Sequence, residues 1–461
     1  MRVVLLSGGS GKRLWPLSNE IRSKAFLRLL VADEIEVSRE SMIQRICRQL
    51  KAAKLLDETL ILTHESQVEI TRAHVGEDIS VLSEPFKRGT FTAIALAAAY
   101  YHSRLQLSLD EVICVLPVDS YVEDGFFDHI LAAPAALAES GAQLVLIGTK
   151  PTFPSSQYGY ILPEKSESET HELEVENEAA SRQRQAVPVS SFAEKPSPKR
   201  AEELIAQGAL WNCGVFAFSL GFLLSCLKER GVPTDYDALL AVYPELPEAS
   251  FDYEVVERAA PIAVLPYSHA WEDLGSWATF APHLGHKVVG AGGITEDCRN
   301  THIVNETAIP IQVIGLSDVI VAASADGILV SAKEEASRIK SLLSNASDGI
   351  RSEEKRWGGR TSLNLLPPLD RSLSSATPEP LLHQIWMKSG GGSEVHLHQD
   401  RDELFIVLTG KGELLRGEEV LPLIPGAAFP IPHGTPHRIQ AHSALTGIEV
   451  HFEVSRSEER P

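Results

Sequence analysis

SGGSGKRLWPLS (residues 7–18) directly follows the apolar run VVLLS (3–7), and its reading decides the fold. Glycines at the end of a short strand let the backbone approach a ligand closely, and successive amides at such a turn form a cradle for an anion. Arg13 and Lys24 add cations along the same loop. Two common phosphate-binding motifs are excluded. A Walker A loop needs Ser or Thr after Gly-Lys, but Gly11-Lys12 is followed by Arg13. A dinucleotide fingerprint needs a third glycine where Leu14 stands. Taken alone, the stretch is equally well a tight strand-to-helix turn with solvated charges.

Outward from this loop, TLILTH (59–64), EVICVLPVD (111–119) and QLVLIGT (143–149) read as further buried strands. SMIQRICRQLKAAKLL (41–56) and TAIALAAAYYHSRL (92–105) read as helices between them. This alternation predicts an α/β domain, Rossmann-like, with a mostly parallel sheet that binds ligand at the C-terminal ends of its strands. The polar segment 164–185 reads as a solvated hairpin or loop. From about 285 to 335 the pattern changes to short strands with little helix, which fits a small β domain. Residues rich in Ser, Gly, Pro and charge follow, as in a linker. Alternating strands separated by Gly and Pro turns then predict a small β-barrel. The expected division is 1–284, 285–345, a linker at 346–380, and 381–461.

Composition narrows the function. The 461 residues are 44% apolar and 23% charged, with a formal net charge of −20. That balance argues against a surface built for nucleic acid or anionic membrane, while leaving room for small anionic substrates held by local cations and amides. The five cysteines form no CxxC pair and no even framework, which suits free thiols in a reducing compartment. No stretch approaches the roughly 20 apolar residues of a membrane helix, and too few apolar residues precede the glycines for a signal peptide. A cytoplasmic location is expected.

Several motifs now carry a resemblance. GGSGKRLWPLS followed by SKAFLRL resembles the signature of sugar nucleotidyltransferases, and the RLWP form with Trp15 resembles the mannose-1-phosphate guanylyltransferase (GDP-mannose pyrophosphorylase) branch. EPFKRGT (84–90) resembles its nucleotide-binding segment, with Gly89 where Asn is usual. PVDSYVED (117–124) and WEDLGSW (271–277) resemble the segments whose aspartates, here Asp119 and Asp273, hold catalytic Mg2+. YGYI (158–161), FAEKP (192–196) and WNCGVFAF (211–218) resemble the sugar-phosphate elements, and FDYEVVE (251–257) another family segment. The resemblance implies catalytic Arg13, Lys24, Asp119 and Asp273. It implies nucleotide binding by Ser7, Gly8, Gly9, Gly11, Lys12, Glu84, Arg88 and Thr90, and sugar-phosphate binding by Tyr158, Gly159, Glu194, Lys195 and Asn212. GTP and mannose-1-phosphate are the implied substrates, and a homodimer is compatible with it.

The chemistry suits these residue types. Magnesium takes one or two carboxylates and fills its remaining positions with phosphate and water. A sugar phosphate is already anionic, so nucleotidyl transfer needs orientation and charge neutralisation more than a strong base. Rivals remain: another hexose phosphate or base, or a non-catalytic sugar-nucleotide sensor.

The C-terminal module has chemistry of its own. Period two on a strand puts His396 and His398 on one face, and with Glu403 and His437 they suit a divalent transition metal such as Zn2+, iron or manganese. Gly390-x5-His396-x-His398-x4-Glu403-x6-Gly410 resembles the first cupin motif. Gly426-x5-Pro432-x-Gly434-x2-His437 resembles the second. Such cupins in this family often carry mannose-6-phosphate isomerase activity. PHRIQ (436–440) and IEVHF (448–452) resemble the family's HRLEN and IEVQ, which makes Arg438 a candidate phosphate or enediolate partner. The alternative is a regulatory or oligomerising barrel.

Overall fold

The computed structural model describes residues 1–9, 12–32, 38–164, 185–343, 350–363 and 381–454. The polar segment expected as a hairpin lies almost wholly outside them. The chain divides into two compact units. The first holds residues 1–9, 24–68 and 75–275; the second holds 10–23, 69–74 and 276–461.

A nine-stranded sheet forms the first unit, in the order 80–84, 59–64, 2–6, 112–117, 210–219, 144–149, 262–267, 187–193, 160–163. The sheet is mixed. All strands point one way except Leu210–Ser219 and Val187–Ala193, which run against their neighbours. The apolar runs read as buried strands are the parallel ones. Val3, Val4 and Leu5 are fully buried, as are Leu144 to Ile147. Helix Met42–Ala52 starts at a reciprocal cap, with Ser41 accepting from the Gln44 amide and Gln44 accepting back from that of Ser41. Helix Gly89–Ala99 is buried from Phe91 through Ala99, because its run of alanines lets the sheet and helix Leu220–Glu229 close on it from opposite sides.

The strand ends place the site. Val118 continues from strand Val112–Pro117 by donating its amide to the Leu6 carbonyl. Ser7 donates its amide to Leu62 at 2.8 Å. A two-stranded ribbon, Ser120–Val122 against Trp271–Asp273, sets Asp273 opposite Ser120.

In the second unit, parallel ladders link Val288–Val289, His302–Asn305 and Val319–Ser324, and Gly292–Ile294 pairs with Ile311–Val313. Cys298, Ile303, Val313 and Val321 fill the space between these short faces. The loop 12–23 is fastened to this stack. Ser324 donates to the Pro16 carbonyl at 2.6 Å, Asn19 donates to Asp326 at 2.9 Å, and Arg22 makes a two-pronged pair with Glu306 at 2.7 and 2.8 Å. Gly327 lies flat against Trp15, because a Cβ there would come within 2.5 Å of the indole.

The barrel pairs a six-stranded sheet (352–355, 358–363, 381–387, 445–453, 401–409, 428–431) with a three-stranded one (419–423, 412–416, 437–441). Its core includes Phe405, Val407, Leu414, Ile439 and Leu445. Part of the stretch expected as linker is therefore sheet. Ser352–Lys355 and Gly358–Leu363 form a hairpin that adds to strand Leu381–Met387. Its turn chemistry resembles a linker's, but its alternating side chains complete a sheet edge. Residues 364–380 lie outside the described part. Among the described residues, no helix is long and apolar enough to cross a membrane.

Candidate active site and candidate metal centre

The ribbon brings Asp119 and Asp273 to one place although 153 residues separate them in sequence. Between them sits the Lys24 ammonium, 2.9 Å from Asp119 Oδ2 and hydrogen-bonded to Asp273 Oδ1. Burial alone lowers the pKa of Lys24, but the two carboxylates outweigh it and hold the ammonium charged above its ordinary range. Both aspartates remain partly open to solvent, with side chains 39% and 33% exposed. Two convergent, accessible carboxylates around a cation form a donor set that fits magnesium.

Glu84 lies beneath the glycine turn. It is buried, accepts from the Tyr243 hydroxyl at 2.9 Å, and its other oxygen comes 3.8 Å from where a Gly8 Cβ would stand. Burial pushes its carboxyl up. Ser7 is buried, and its hydroxyl has no hydrogen-bond partner among the described residues, so a donor remains at the end of the first strand. Gly8 and Gly9 are exposed; Gly11 lies outside the described residues. Arg88 donates to the Pro244 carbonyl, and Thr90 accepts from the Phe251 amide at 2.9 Å. Gly89 has φ +83°, and a Cβ there would lie 2.2 Å from the Ala249 carbonyl oxygen. The usual Asn is absent because the chain at Ala249 occupies its space.

A second cluster gathers Tyr158, Gly159, Glu194, Lys195 and Asn212. Asn212 donates its amide to the Gly159 carbonyl at 2.8 Å and its side chain to Asp252 at 2.9 Å. Lys195 pairs with Glu194 at 2.6 Å. A side chain at Gly159 would collide with Glu194 at 2.6 Å, so glycine keeps that carboxylate's pocket open. Burial raises the pKa of both Glu194 and Asp252. Tyr158 meets Trp211 and Trp271 edge-on, an aromatic wall beside this polar group. Asp252 was not singled out from sequence; its only signal was an acid directly after Phe251 in FDYEVVE.

Arg13 is exposed on the short turn Lys12–Leu14, and Lys12 pairs with Glu20 at 2.7 Å. Both belong to the second unit.

In the barrel, ligand atoms of His396, His398, Glu403 and His437 lie within 4.8 Å of one another. The His396 and His437 strand segments bridge directly, with backbone hydrogen bonds of 3.0 and 2.8 Å. His396 Nδ1 faces the Glu394 carbonyl and His437 Nδ1 the Thr435 carbonyl, each at 2.9 Å, leaving the Nε2 atoms for a ligand. Burial and Arg401 hold His398 down at about 4, so it is neutral at pH 7. Burial pushes Glu403 up, but His437 and His451 outweigh it and keep the carboxylate well below its ordinary range. Both Glu403 oxygens and His437 Nε2 are buried without hydrogen-bond partners among the described residues. Orphaned donors of this type and number fit a divalent transition metal.

Strand His437–Ala441 alternates buried and exposed, so Arg438, the candidate phosphate or enediolate partner, is exposed and points away from the face that carries His437. The cations on the inner side are Arg401, 3.2 Å from His398 Nδ1, and Arg360, 3.6 Å from Glu449. Period two in GIEVHF sets Glu449 and His451 on one face with Gly447, but the apolar Ile448, Val450 and Phe452 share the other, so the sequence gives no sign that the polar face is the inner one.

A model of the nucleotidyl transferase family matches residues 2–283. The chain belongs to the nucleotidyl transferase family. Behind its transferase portion, residues 295–345 match a mannose phosphate isomerase/GMP-like β-helix domain and residues 384–450 a cupin domain. The xanthan biosynthesis protein XanB of Xanthomonas campestris pv. campestris (strain B100) is 29% identical over 95% of this chain and 92% of its own length. A mannose-1-phosphate guanylyltransferase of Sinorhizobium fredii is 28% identical over 94% of this chain and 85% of its own. A solved structure described as mannose-1-phosphate geranyltransferase from Thermus thermophilus superposes with a TM-score of 0.58 and 28% identity, covering 74% of this chain and 98% of that one.

Proposed function

We propose that this transferase moves GMP from GTP to mannose-1-phosphate, giving GDP-mannose and pyrophosphate. The observation that carries the reading is the Asp119–Lys24–Asp273 group, two accessible carboxylates gathered around one ammonium inside the portion that matches the nucleotidyl transferase family. A phosphate oxygen of mannose-1-phosphate attacks the α-phosphorus of GTP, and the bond from that phosphorus to the bridging oxygen breaks as pyrophosphate leaves. Asp119 and Asp273 would hold a magnesium ion, which would supply charge neutralisation at the phosphate oxygens. Lys24, and Arg13 by resemblance, neutralise the triphosphate. Ser7, Gly8, Gly9, Glu84, Arg88 and Thr90 contact the nucleotide, and by resemblance Gly11 and Lys12 do as well. Glu194 and Asn212 orient sugar hydroxyls, with Tyr158 and Gly159 shaping the pocket and Lys195 on the sugar phosphate.

The test measures pyrophosphate release from mannose-1-phosphate with GTP, ATP, UTP and dTTP in parallel. Release with GTP alone supports the reading, and release with another nucleotide replaces the product. Folded protein that binds GDP-mannose without turnover makes it a sensor. Asp119→Asn is expected to lose at least about 100-fold in turnover, on the scale of removing one preorganised electrostatic contact. Near-wild-type turnover removes Asp119 from the metal site.

A second reading follows from the barrel's four-residue group: interconversion of mannose-6-phosphate and fructose-6-phosphate, for which His396, His398, Glu403 and His437 would hold Zn2+ or a similar ion that would polarise the sugar carbonyl. It is refuted by a metal-loaded protein with no such turnover. We further place the domain borders at 1–284, 285–345 and 381–461, with the barrel sheet reaching back into the 346–380 segment. All five thiols are free, which supports a cytoplasmic location.

A further inference from the structure

The barrel holds one more group than its motif requires. His451 stands directly across the ladder from Glu403, on strand Leu445–Glu453. Inward positions on that strand alternate through Leu445, Gly447, Glu449 and His451, and the His451 side chain is 2% exposed. Neither of its ring nitrogens has a hydrogen-bond partner among the described residues. A buried imidazole with two unmet nitrogens is costly unless something occupies the space beside it.

The surroundings say what that is. His451 Nε2 lies 3.7 Å from Glu403 Oε2, the same oxygen that His398 Nε2 approaches at 3.4 Å and His437 Nε2 at 3.3 Å. Three imidazole nitrogens therefore converge on one carboxylate oxygen. Donors with bonds of about 2.1 Å to one ion stand roughly 3 Å apart when adjacent and about 4 Å apart when opposite. The 3.7 Å separation falls inside that range. The ring also lies 5.4 Å from that of His398, close to the 5.5 Å between His398 and His437. The neighbouring Glu449 carboxylate is 3.8 Å away, too long for a hydrogen bond that would satisfy the ring.

We propose that His451 is a fifth metal donor, so that the barrel binds one transition-metal ion through four imidazoles and one carboxylate. This rests on the reading of His396, His398, Glu403 and His437 as metal ligands. It carries a consequence for chemistry. On a six-coordinate ion, five protein donors would leave one exchangeable position, enough for a single substrate oxygen and not for a two-oxygen chelate. A nitrogen-rich set also favours zinc, nickel, copper or iron over magnesium or calcium.

The test uses the full chain, freed of metal and titrated with cobalt in excess magnesium, which fills oxygen-rich sites. Visible absorption reports cobalt binding and coordination number together. The variants are His451→Gln, which restores the residue of the resembling motif, and His437→Ala as a site control. Both are first checked by thermal melting without metal. The expected result is one cobalt per chain in the wild type. In His451→Gln, affinity falls at least about tenfold, since even indirect partners of a ligand are worth about 10–100-fold, and the absorption changes with the lost nitrogen. An unchanged dissociation constant and spectrum in folded His451→Gln overturns the fifth donor while leaving the four-residue site intact. A wild type whose cobalt uptake is indifferent to His437→Ala overturns the four-residue reading and this inference with it. If His451→Gln melts too low to titrate, His451→Asn is measured instead and judged by the same two outcomes.

Discussion

Gly327→Ala tests how firmly the loop 12–23 is built into the β-stack. A methyl at this position would stand 2.5 and 2.6 Å from Trp15 Cζ2 and Cη2, where carbon–carbon contacts normally sit at about 3.5–4.0 Å. The indole must therefore retreat by about 1 Å. It is not free to do so: the Trp15 carbonyl accepts from Trp277 Nε1 at 3.3 Å, and the next carbonyl, at Pro16, accepts from Ser324. Overpacking of this kind costs about 1–3 kcal/mol. The backbone at φ +149° disfavours an L-residue by a further ~1–3 kcal/mol. A total near 3 kcal/mol lowers the melting temperature by roughly 6–12 °C. Because Arg13 lies two residues before Trp15, pyrophosphate release should fall as well. Trp15→Phe removes the two ring carbons that collide. The double variant should thus be more stable than the sum of the single losses, by about 1 kcal/mol or more. Melting curves and turnover of the four proteins form the cycle. A Gly327→Ala protein within about 1 °C of wild type, or a strictly additive double variant, refutes the packing argument.

Other perturbations have equally definite outcomes. Gly89→Asn should lower the melting temperature and weaken GTP binding, because the Ala249 carbonyl, rather than the left-handed backbone, is what excludes a Cβ; equal melting of variant and wild type counts against this. His302 is held down at about 4 by burial and by Lys333, whereas an unfolded imidazole protonates near 6.5. The unfolded state therefore binds more protons between those values, and stability present above pH 6.5 is lost as pH falls toward 4. The shift corresponds to about 3 kcal/mol at most, reduced by partial exposure to about 1–2 kcal/mol, and His302→Gln should flatten that acid limb in denaturant titrations. Chelation should lower the melting temperature of the wild type, and zinc at a hundredfold excess over its dissociation constant should restore about 2.7 kcal/mol. His437→Ala should abolish the response, and a zinc effect that persists in it places the ion elsewhere.

Much of the site was legible because its motifs follow strand ends. Ser7 to Gly9, Glu84 and Asp119 each sit where an apolar run stops, and period two alone brings His396 and His398 together. The parts that escaped depend on pairings between distant segments. Nothing local to residue 271 says that Trp271–Asp273 will lie against Ser120–Val122, so the convergence on Lys24 is visible only in the fold. Asp252 gained meaning from Asn212, and Gly89 from Ala249, through contacts no spacing encodes. The face of Arg438, by contrast, is locally encoded: it neighbours inward His437 on a strand, so strand period sets the two on opposite sides. Loop-like composition hid the hairpin 352–363, whose partner strand lies beyond the next segment.

The two acidic groups in this chain meet the same electrostatic problem differently, and the difference bears on how each uses an ion. Asp119 and Asp273 carry a built-in counter-charge in Lys24, whose ammonium already lies between them. That group is already charge-compensated, so a divalent ion would have to displace or share with the lysine, and a triphosphate supplying further oxygens would favour that exchange. Under the proposed transfer, such a site would suit an ion that comes with the nucleotide. Among the described residues, no lysine or arginine forms an ion pair with Glu403; around it stand His398, held neutral, and the unpartnered nitrogens of His437 and His451. Its carboxylate is almost wholly buried, and a charge taken that far from water is costly without a cation beside it. A resident cation would satisfy all of these atoms at once, so under the proposed reading the metal would be part of the barrel's structure rather than a transient guest.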